Sequence, residues 1–560
     1  MTEFRLEFIY AVYSFNALPE LKWRSDLRSL RGTISHTNPC VGLNVNASIL
    51  GRLVVDRYQV FIIGRTILIH RRKMSELAFQ SATNLAQMIR EKEISSVELL
   101  DFYFHRIDEY NPGLNAIIWQ MREQAMDTAQ KADECLASNA EVGPLHGVPM
   151  TIKESYDVVG TPSTWGIPDL KDNFPENDAL SVQRLKKAGA VIMGKTNVPL
   201  RLSDFQSYND IYGTTNNPWN RELIPGGSSG GSAATLAAGL SGIDSGSDIG
   251  GSIRNPAHFC GIFGHKPTWN LLPPRGHATP GILSPSDLSV IGPMARSAED
   301  LELAVRVMAG PDEIQSRGLT LNLPSMTKPP SQWRVAIWQN ETFAPVDKVI
   351  EERVLAVAET LNSLGASIDF EARPFGSSEN VHTTYQCLLN ATMSCRLPDD
   401  DYSDLVERVE GQANNPTSND RDRRANQLRI SQVARFKDWT QFNEERTHLR
   451  WSWHEFFKNF DVVIAPIMAS PAFPHDHRPM WERTIMVNGE EQNYFTQLFW
   501  AGLAVNVYLP STVIPTGLVG GGLPAGVQII GPEYGDLMTI DVAKILESEG
   551  YSFVAPPDYR

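Results

Sequence analysis

The chain has 560 residues, 42% of them hydrophobic, a formal net charge of −15 and a pI near 5.3. That length supports a large buried core in one oversized α/β domain or two ordinary ones, and the acidity argues against a nucleic-acid groove, leaving a neutral or cationic small molecule as the easier ligand. Five cysteines (Cys40, Cys135, Cys260, Cys387, Cys395), odd in number and without a CxxC pair, indicate neither a disulfide framework nor a zinc knuckle and read as free thiols of a cytoplasmic protein.

Residues 1–73 stand apart, with 11 Lys and Arg against 5 Asp and Glu, so the charge changes sign near Lys73. Their best apolar run, Tyr58 to His70, is broken by Arg65 and falls short of the roughly 20 residues of a membrane span, and no signal-peptide cleavage pattern follows. We read 1–73 as upstream sequence or a poorly ordered extension, with Met74 as the initiator and 74–560 as the functional domain. From Thr83 the pattern turns helical through Ala86, Ile89 and Ile94. Ser95 and Glu98 form a capping box for a second helix whose Leu100, Tyr103, Phe104 and Ile107 share a face. Asn111-Pro112-Gly113 predicts a turn, a polar helix runs to about Ala137, and PLHGVPMTIKES predicts a buried strand ending in a lysine. A helix carries Leu180 to Ala188, AVIMG is a short strand, and Val335–Trp338, Asp461–Ala465 and Val527–Ile530 are further apolar runs. The alternation predicts an α/β fold, a sheet layered by helices on both faces. A charged stretch within about 380–455 predicts a peripheral helical subregion that overhangs the site.

Two serine-glycine segments carry the chemistry, PGGSSGGSAA at Pro225–Ala234 and SGSDIGGSIRNP at Ser245–Pro256. Glycines beside Ser228 and Ser252 let backbone N–H groups turn toward developing negative charge. GGSSG formally satisfies the GxSxG elbow, but NNPWNRELIP before it is no strand. Gly189–Thr196 matches the phosphate-loop pattern, yet its middle is apolar and strand-like, so a core strand is the better reading. His475 and His477 in PHDHRP have a metal-compatible spacing but no carboxylate or cysteine set to complete it, so no metal is expected.

GVPMTIKES, GAVIMGKTNVP, GTTNNPWN, PGGSSGGSAA, SGSDIGGSIRNPAHFCGIFGHKPT and GLPAGVQIIGPEYGD occur in an order that resembles the amidase signature family from about Ser81 to Ala555. The resemblance implies the amidase signature fold, a large central mixed β-sheet covered on both faces by α-helices. It also implies a Ser-cisSer-Lys triad, with Ser252 as nucleophile, Ser228 as the bridging serine in a cis peptide and Lys153 as base, and a free-standing amidase that needs no cofactor. Physical chemistry supports these roles. Burial among Val148, Met150 and Ile152 disfavours the charged lysine, and a neutral Lys153 can take the proton of Ser228 as Ser228 takes that of Ser252. The N–H groups of Ile249, Gly250, Gly251 and Ser252 form the expected oxyanion hole.

The bland alternatives are a Lys153 that snorkels or pairs with Glu154, and serines that merely stabilise turns. Asp248 and Arg254 read as a salt bridge pinning the loop, and Ser229 as part of the same network. By its position after TNVP, Leu202 lies near the acyl side of the pocket, with Tyr212 on the following loop. Aromatics between Glu379 and Trp500 (Tyr385, Trp481, Tyr494, Phe499 and Trp500, with Cys387) wall an apolar cavity and point to an aryl or alkyl amide. The expected partner is a small-molecule amide, with no nucleic acid, no membrane and a possible homodimer. The alternative functions are a glutaminase component of a transfer-RNA amidotransferase, needing partner subunits, and a silent binding protein.

Overall fold

Residues 76–411 and 420–560 are described by a computed structural model. The sign-changing stretch 1–73 and Met74 lie outside them. Three strands, β1 (Ile117–Gln120), β2 (Pro149–Lys153) and β3 (Val191–Thr196), make a small sheet in the order β1-β3-β2. Eight others make the main sheet: β4 (Asp244–Asp248), β5 (Phe263–Lys266), β6 (Val290–Ala295), β7 (Arg334–Ile337), β8 (Ser367–Asp369), β9 (Val462–Pro466), β10 (Ser511–Val519) and β11 (Leu523–Ile530). Their order is β8-β7-β9-β11-β10-β5-β6-β4. The pairs β8/β7 and β7/β9 are parallel and the rest antiparallel, so the sheet is mixed.

The pleat of the main sheet divides the apolar core in two. Val462 and Ile464 of β9 enter one cluster while Val463 and Ala465 enter the other, and Val335 and Ile337 of β7 are separated from Ala336 in the same way. Alternation of this kind, with both sets buried, requires helices on both faces. Ala298–Met308, Lys348–Ser363 and Asp536–Ser548 cover the first face, and Arg254–Cys260 and Leu498–Val505 the second. The α/β reading from sequence therefore holds. The two capped N-terminal helices also form, at Ala82–Arg90 and Ser96–Leu114, and Ser95 and Glu98 close the expected capping box.

Two expectations are corrected. Asn111-Pro112-Gly113 is not a turn: the helix runs through it to Leu114 and ends on Asn115 in the left-handed region, at φ 52°. The Asn111 side chain binds the N–H groups of Ala116 and Ile117 there, which carries the chain out of the helix. Strands β2 and β3 belong to the small sheet rather than the main one. The described residues between 378 and 456 include helices Ser378–Ser394, Asp399–Gly411, Asp420–Ser431 and Phe436–Phe456. No described helix is long and apolar enough to cross a membrane.

Candidate active site

Lys153 ends β2, every residue of which is buried, and its side chain is 0% exposed. Its Nζ lies 2.6 Å from Oγ of Ser228, 3.0 Å from Oγ of Ser229 and 3.0 Å from Oγ of Ser247. All three neighbours are hydroxyls. Burial lowers the amine to about 7, and the charges of Asp248, Asp244 and Glu154 draw it back upward. The side chain neither snorkels nor pairs with Glu154, whose carboxylate accepts the N–H groups of Thr164 and Trp165.

Ser228 and Ser229 precede the helix Gly230–Ala237, after a proline-containing loop rather than a strand, so the elbow geometry is absent. The Gly227–Ser228 peptide is cis. Gly227 is glycine for want of room: a Cβ there would collide with the Gln206 carbonyl oxygen. Asn255 holds this peptide from both sides, accepting the Gly227 N–H at 3.0 Å and donating to the Gly227 carbonyl at 2.5 Å.

Ser252 sits in the turn between β4 and the helix Arg254–Cys260. Its carbonyl accepts the Ser229 N–H at 3.1 Å, which ties the two serine segments together. Its Oγ forms no hydrogen bond to a described residue, so the lysine-to-Ser228 contact is made here and a Ser228-to-Ser252 hydrogen bond is not. Exposure rises from 0% at Lys153 through 1% at Ser228 to 6% at Ser252. Of the three, Ser252 is thus the least deeply buried.

Asp248 organises the turn. It accepts the N–H groups of Gly251 and Ile253 and pairs through both oxygens with Arg254, each at 3.0 Å, both side chains being fully buried. Burial alone would raise its carboxyl, but the Arg254 charge and hydrogen bonds outweigh that and hold it below the usual range. Arg254 spends its remaining donors on Gln528 and the Ala501 carbonyl. Of the four N–H groups expected to hold an oxyanion, that of Gly251 donates to Asp248, and those of Ile249, Gly250 and Ser252 donate to no described residue. Gly251 has φ 100°, which favours glycine. Arg254→Met should destabilise the protein by about 3–5 kcal/mol in denaturant titration, because it strands a buried carboxylate, and Asp248→Asn in the same chain should recover part of the loss.

Three contributors escaped sequence reading, Ser247, Asn255 and Gln528, and Tyr385 was expected only as part of the aromatic wall. The Tyr385 hydroxyl donates to the Ile249 carbonyl at 2.8 Å, so the helix Ser378–Ser394 braces the glycine turn. The signal for Ser247 and Asn255 was their place in SGSDIGGSIRNP, and for Gln528 its place in GLPAGVQIIGPEYGD. Leu202 is half-buried, with φ 57° at the end of a one-turn segment, and Tyr212 is half-buried, its phenol pushed up to about 12 by burial and the Glu154 charge. Neither touches the lysine-serine cluster through a hydrogen bond.

A family profile described as Amidase matches residues 98–540. The chain belongs to the amidase signature family. This amidase is 33% identical over 484 residues to an indoleacetamide hydrolase of Bradyrhizobium diazoefficiens, covering 84% of this chain and 86% of the relative. It is 30% identical to a glutamyl-tRNA(Gln) amidotransferase component of Carboxydothermus hydrogenoformans, over 84% of this chain and 97% of the other. Its fold matches a bacterial aryl acylamidase at TM-score 0.70 and 24% identity, over 84% and 96% of the two chains. A fatty acid amide hydrolase gives the same score and identity over 85% and 86%. The amidase is accordingly a hydrolase acting on amides.

The aromatic wall of the amidase is smaller than expected. Trp481 is 77% exposed, Trp500 is buried with its N–H on the Ala344 carbonyl, and the Tyr494 hydroxyl donates to Asp204. Tyr385 and Phe499 are buried, packed together with Val381, His382, Gly502 and Leu503. His475 lies 6.0 Å from His477, whose ring stacks on Tyr208 at 3.9 Å.

Proposed function

We propose that this protein hydrolyses a carboxylic amide by way of a covalent acyl-enzyme, with Ser252 as nucleophile, Ser228 as proton bridge and Lys153 as base. The observation that carries this reading is a fully buried lysine surrounded by hydroxyl oxygens, with no carboxylate among its hydrogen-bond partners. A neutral amine can donate two hydrogen bonds and accept one, so Lys153 can hold Ser229 and Ser247 while receiving the Ser228 proton. As the Ser252 oxygen bonds to the amide carbon, its proton passes to Ser228 and that of Ser228 to Lys153. The carbonyl oxygen then gains charge facing the Ile249, Gly250 and Ser252 N–H groups. Collapse of the adduct breaks the C–N bond, and the relay returns a proton to the departing nitrogen. Water repeats the attack on the ester, releasing a carboxylate and leaving Ser252 free. Each preorganised donor on the developing oxyanion contributes about 3–4 kcal/mol. Asp248, Arg254 and Ser229 hold the turn and the amine in place.

The substrate is an aryl or alkyl amide. The Tyr385 ring beside the glycine turn supports an apolar acyl group, as does the likeness to an indoleacetamide hydrolase. Leu202 and Tyr212 are the proposed contacts on the other side. Hydrolysis of an indole-3-acetamide, anilide and aliphatic amide panel by the purified protein tests this, and turnover confined to short polar amides would overturn it. The match to an amidotransferase component supports a second reading, a glutaminase. Ammonia release from glutamine only when partner proteins are added would favour it.

Because Lys153 sits near 7, kcat/KM should have an acid limb there. Below that pH the amine is protonated and cannot accept, so the rate should fall about tenfold per unit, while above it the base is fully available. A pH profile flat from 5 to 8 would contradict a lysine base.

A further inference from the structure

The elements that hold Lys153 also surround a second buried ionisable group, Asp244. On β2, Lys153 is followed back by two residues to Thr151, whose hydroxyl donates to the Asp244 carboxylate at 2.5 Å. Residues two apart on a strand share a face and lie about 7 Å apart. On β4, Ser247 meets Lys153 and Asp244 starts the same strand. At the helix Gly230–Ala237, Ser229 meets Lys153, while Ser232, one turn on, lies beside Asp244 and favours its charged form. Asp244 is 1% exposed, and its Oδ1 has no hydrogen-bond partner.

The other charged groups around Lys153 are fully engaged. Asp248 is paired with Arg254 and three backbone N–H groups, and Glu154 takes the N–H groups of Thr164 and Trp165. His277, hydrogen-bonded to Ser155, is held neutral, pushed down to about 3 by burial and by Lys153 itself. Arg296, the nearby cation before the helix Ala298–Met308, spends its terminal nitrogens on the carbonyls of Leu236, Ser241, Gly242 and Gln80. Lys153 is left as the cation acting on Asp244. A buried carboxyl with one bare oxygen beside a buried amine is suited to carrying a proton itself.

We propose that Asp244 is a positioning residue for amide hydrolysis that acts through Lys153: ionised, it holds the amine protonated, and protonated, it releases the amine to serve as base. The two groups then titrate as a pair and share the acid limb of the rate profile. Burial, which lifts the Asp244 carboxyl to about 7, puts it in the range where this exchange operates. The inference rests on the lysine-base reading above.

The test is the pH dependence of kcat/KM for wild type, Asp244→Asn and Thr151→Val. Asparagine keeps an acceptor for Thr151 but cannot ionise, so the amine loses its neighbouring negative charge. The acid limb should move about one unit lower and narrow to a single ionisation, a roughly tenfold gain relative to the plateau at pH values below the wild-type limb. Thr151→Val removes the bond that favours the carboxylate and should move the limb in the same direction by less. An unmoved midpoint in folded variants, or a fall in rate of equal size at every pH, would overturn the proposal by leaving Asp244 a purely structural role. If Asp244→Asn does not fold, Thr151→Val decides on the same criterion. Failure of the underlying reading looks different: wild type would then show no acid limb, or Lys153→Met would retain one.

Discussion

Replacement of Ser252 by alanine is expected to lower kcat/KM by about 10⁵- to 10⁶-fold with an unchanged fold. In the proposed mechanism this hydroxyl is the only group that bonds to the substrate carbon, and no neighbouring serine is placed to substitute: Ser228 and Ser229 are buried and turned toward Lys153. Losing the nucleophile of a covalent hydrolase removes nearly all catalysis beyond what binding and the oxyanion donors supply. The Ser252 hydroxyl forms no hydrogen bond to a described residue, so its removal strands no partner. The melting temperature should stay within about 2 °C of wild type, since removing one hydroxyl oxygen leaves no buried donor or acceptor unpaired. A fluorophosphonate probe should label wild type at Ser252 and leave the variant unmodified. Activity within a hundredfold of wild type would remove Ser252 from the chemistry.

Lys153→Met should cost about 10³- to 10⁴-fold in kcat/KM and erase the acid limb. Methionine fills nearly the same volume, so the packing of β2 survives while the basic group in contact with Ser228 is gone. Three hydroxyls lose a partner, but Ser229 still exchanges contacts with the Ser247 backbone, which limits the cost to stability. Steady-state rates between pH 5 and 9, beside a thermal melt, separate the two effects. A variant of wild-type stability that keeps a limb near 7 would assign that ionisation to another group.

The sequence was most legible where one local rule decides the outcome. Ser95 and Glu98 announce a helix start because a capping box needs nothing outside four residues. The apolar strands show themselves because both their faces are buried, and the serine-glycine segments because close backbone approach tolerates little else. Legibility failed where the partner is distant in sequence. Asn111-Pro112-Gly113 has turn composition, yet the helix continues through it because Asn111 finds acceptor work at Ala116 and Ile117. Glu154 is the nearest carboxylate to Lys153 along the chain but faces the loop at Thr164 instead. Gln528 and Tyr385 approach from a strand and a helix that no spacing connects to the serines.

The proposed base ends a strand of the small sheet, whereas the proposed nucleophile follows β4, the edge strand of the large one. Neither sheet alone assembles the reactive centre, so hydrolysis reports on the seam between them. A partly folded chain with either sheet intact should be inert, and regain of turnover after dilution from denaturant would mark the moment the two halves lock together.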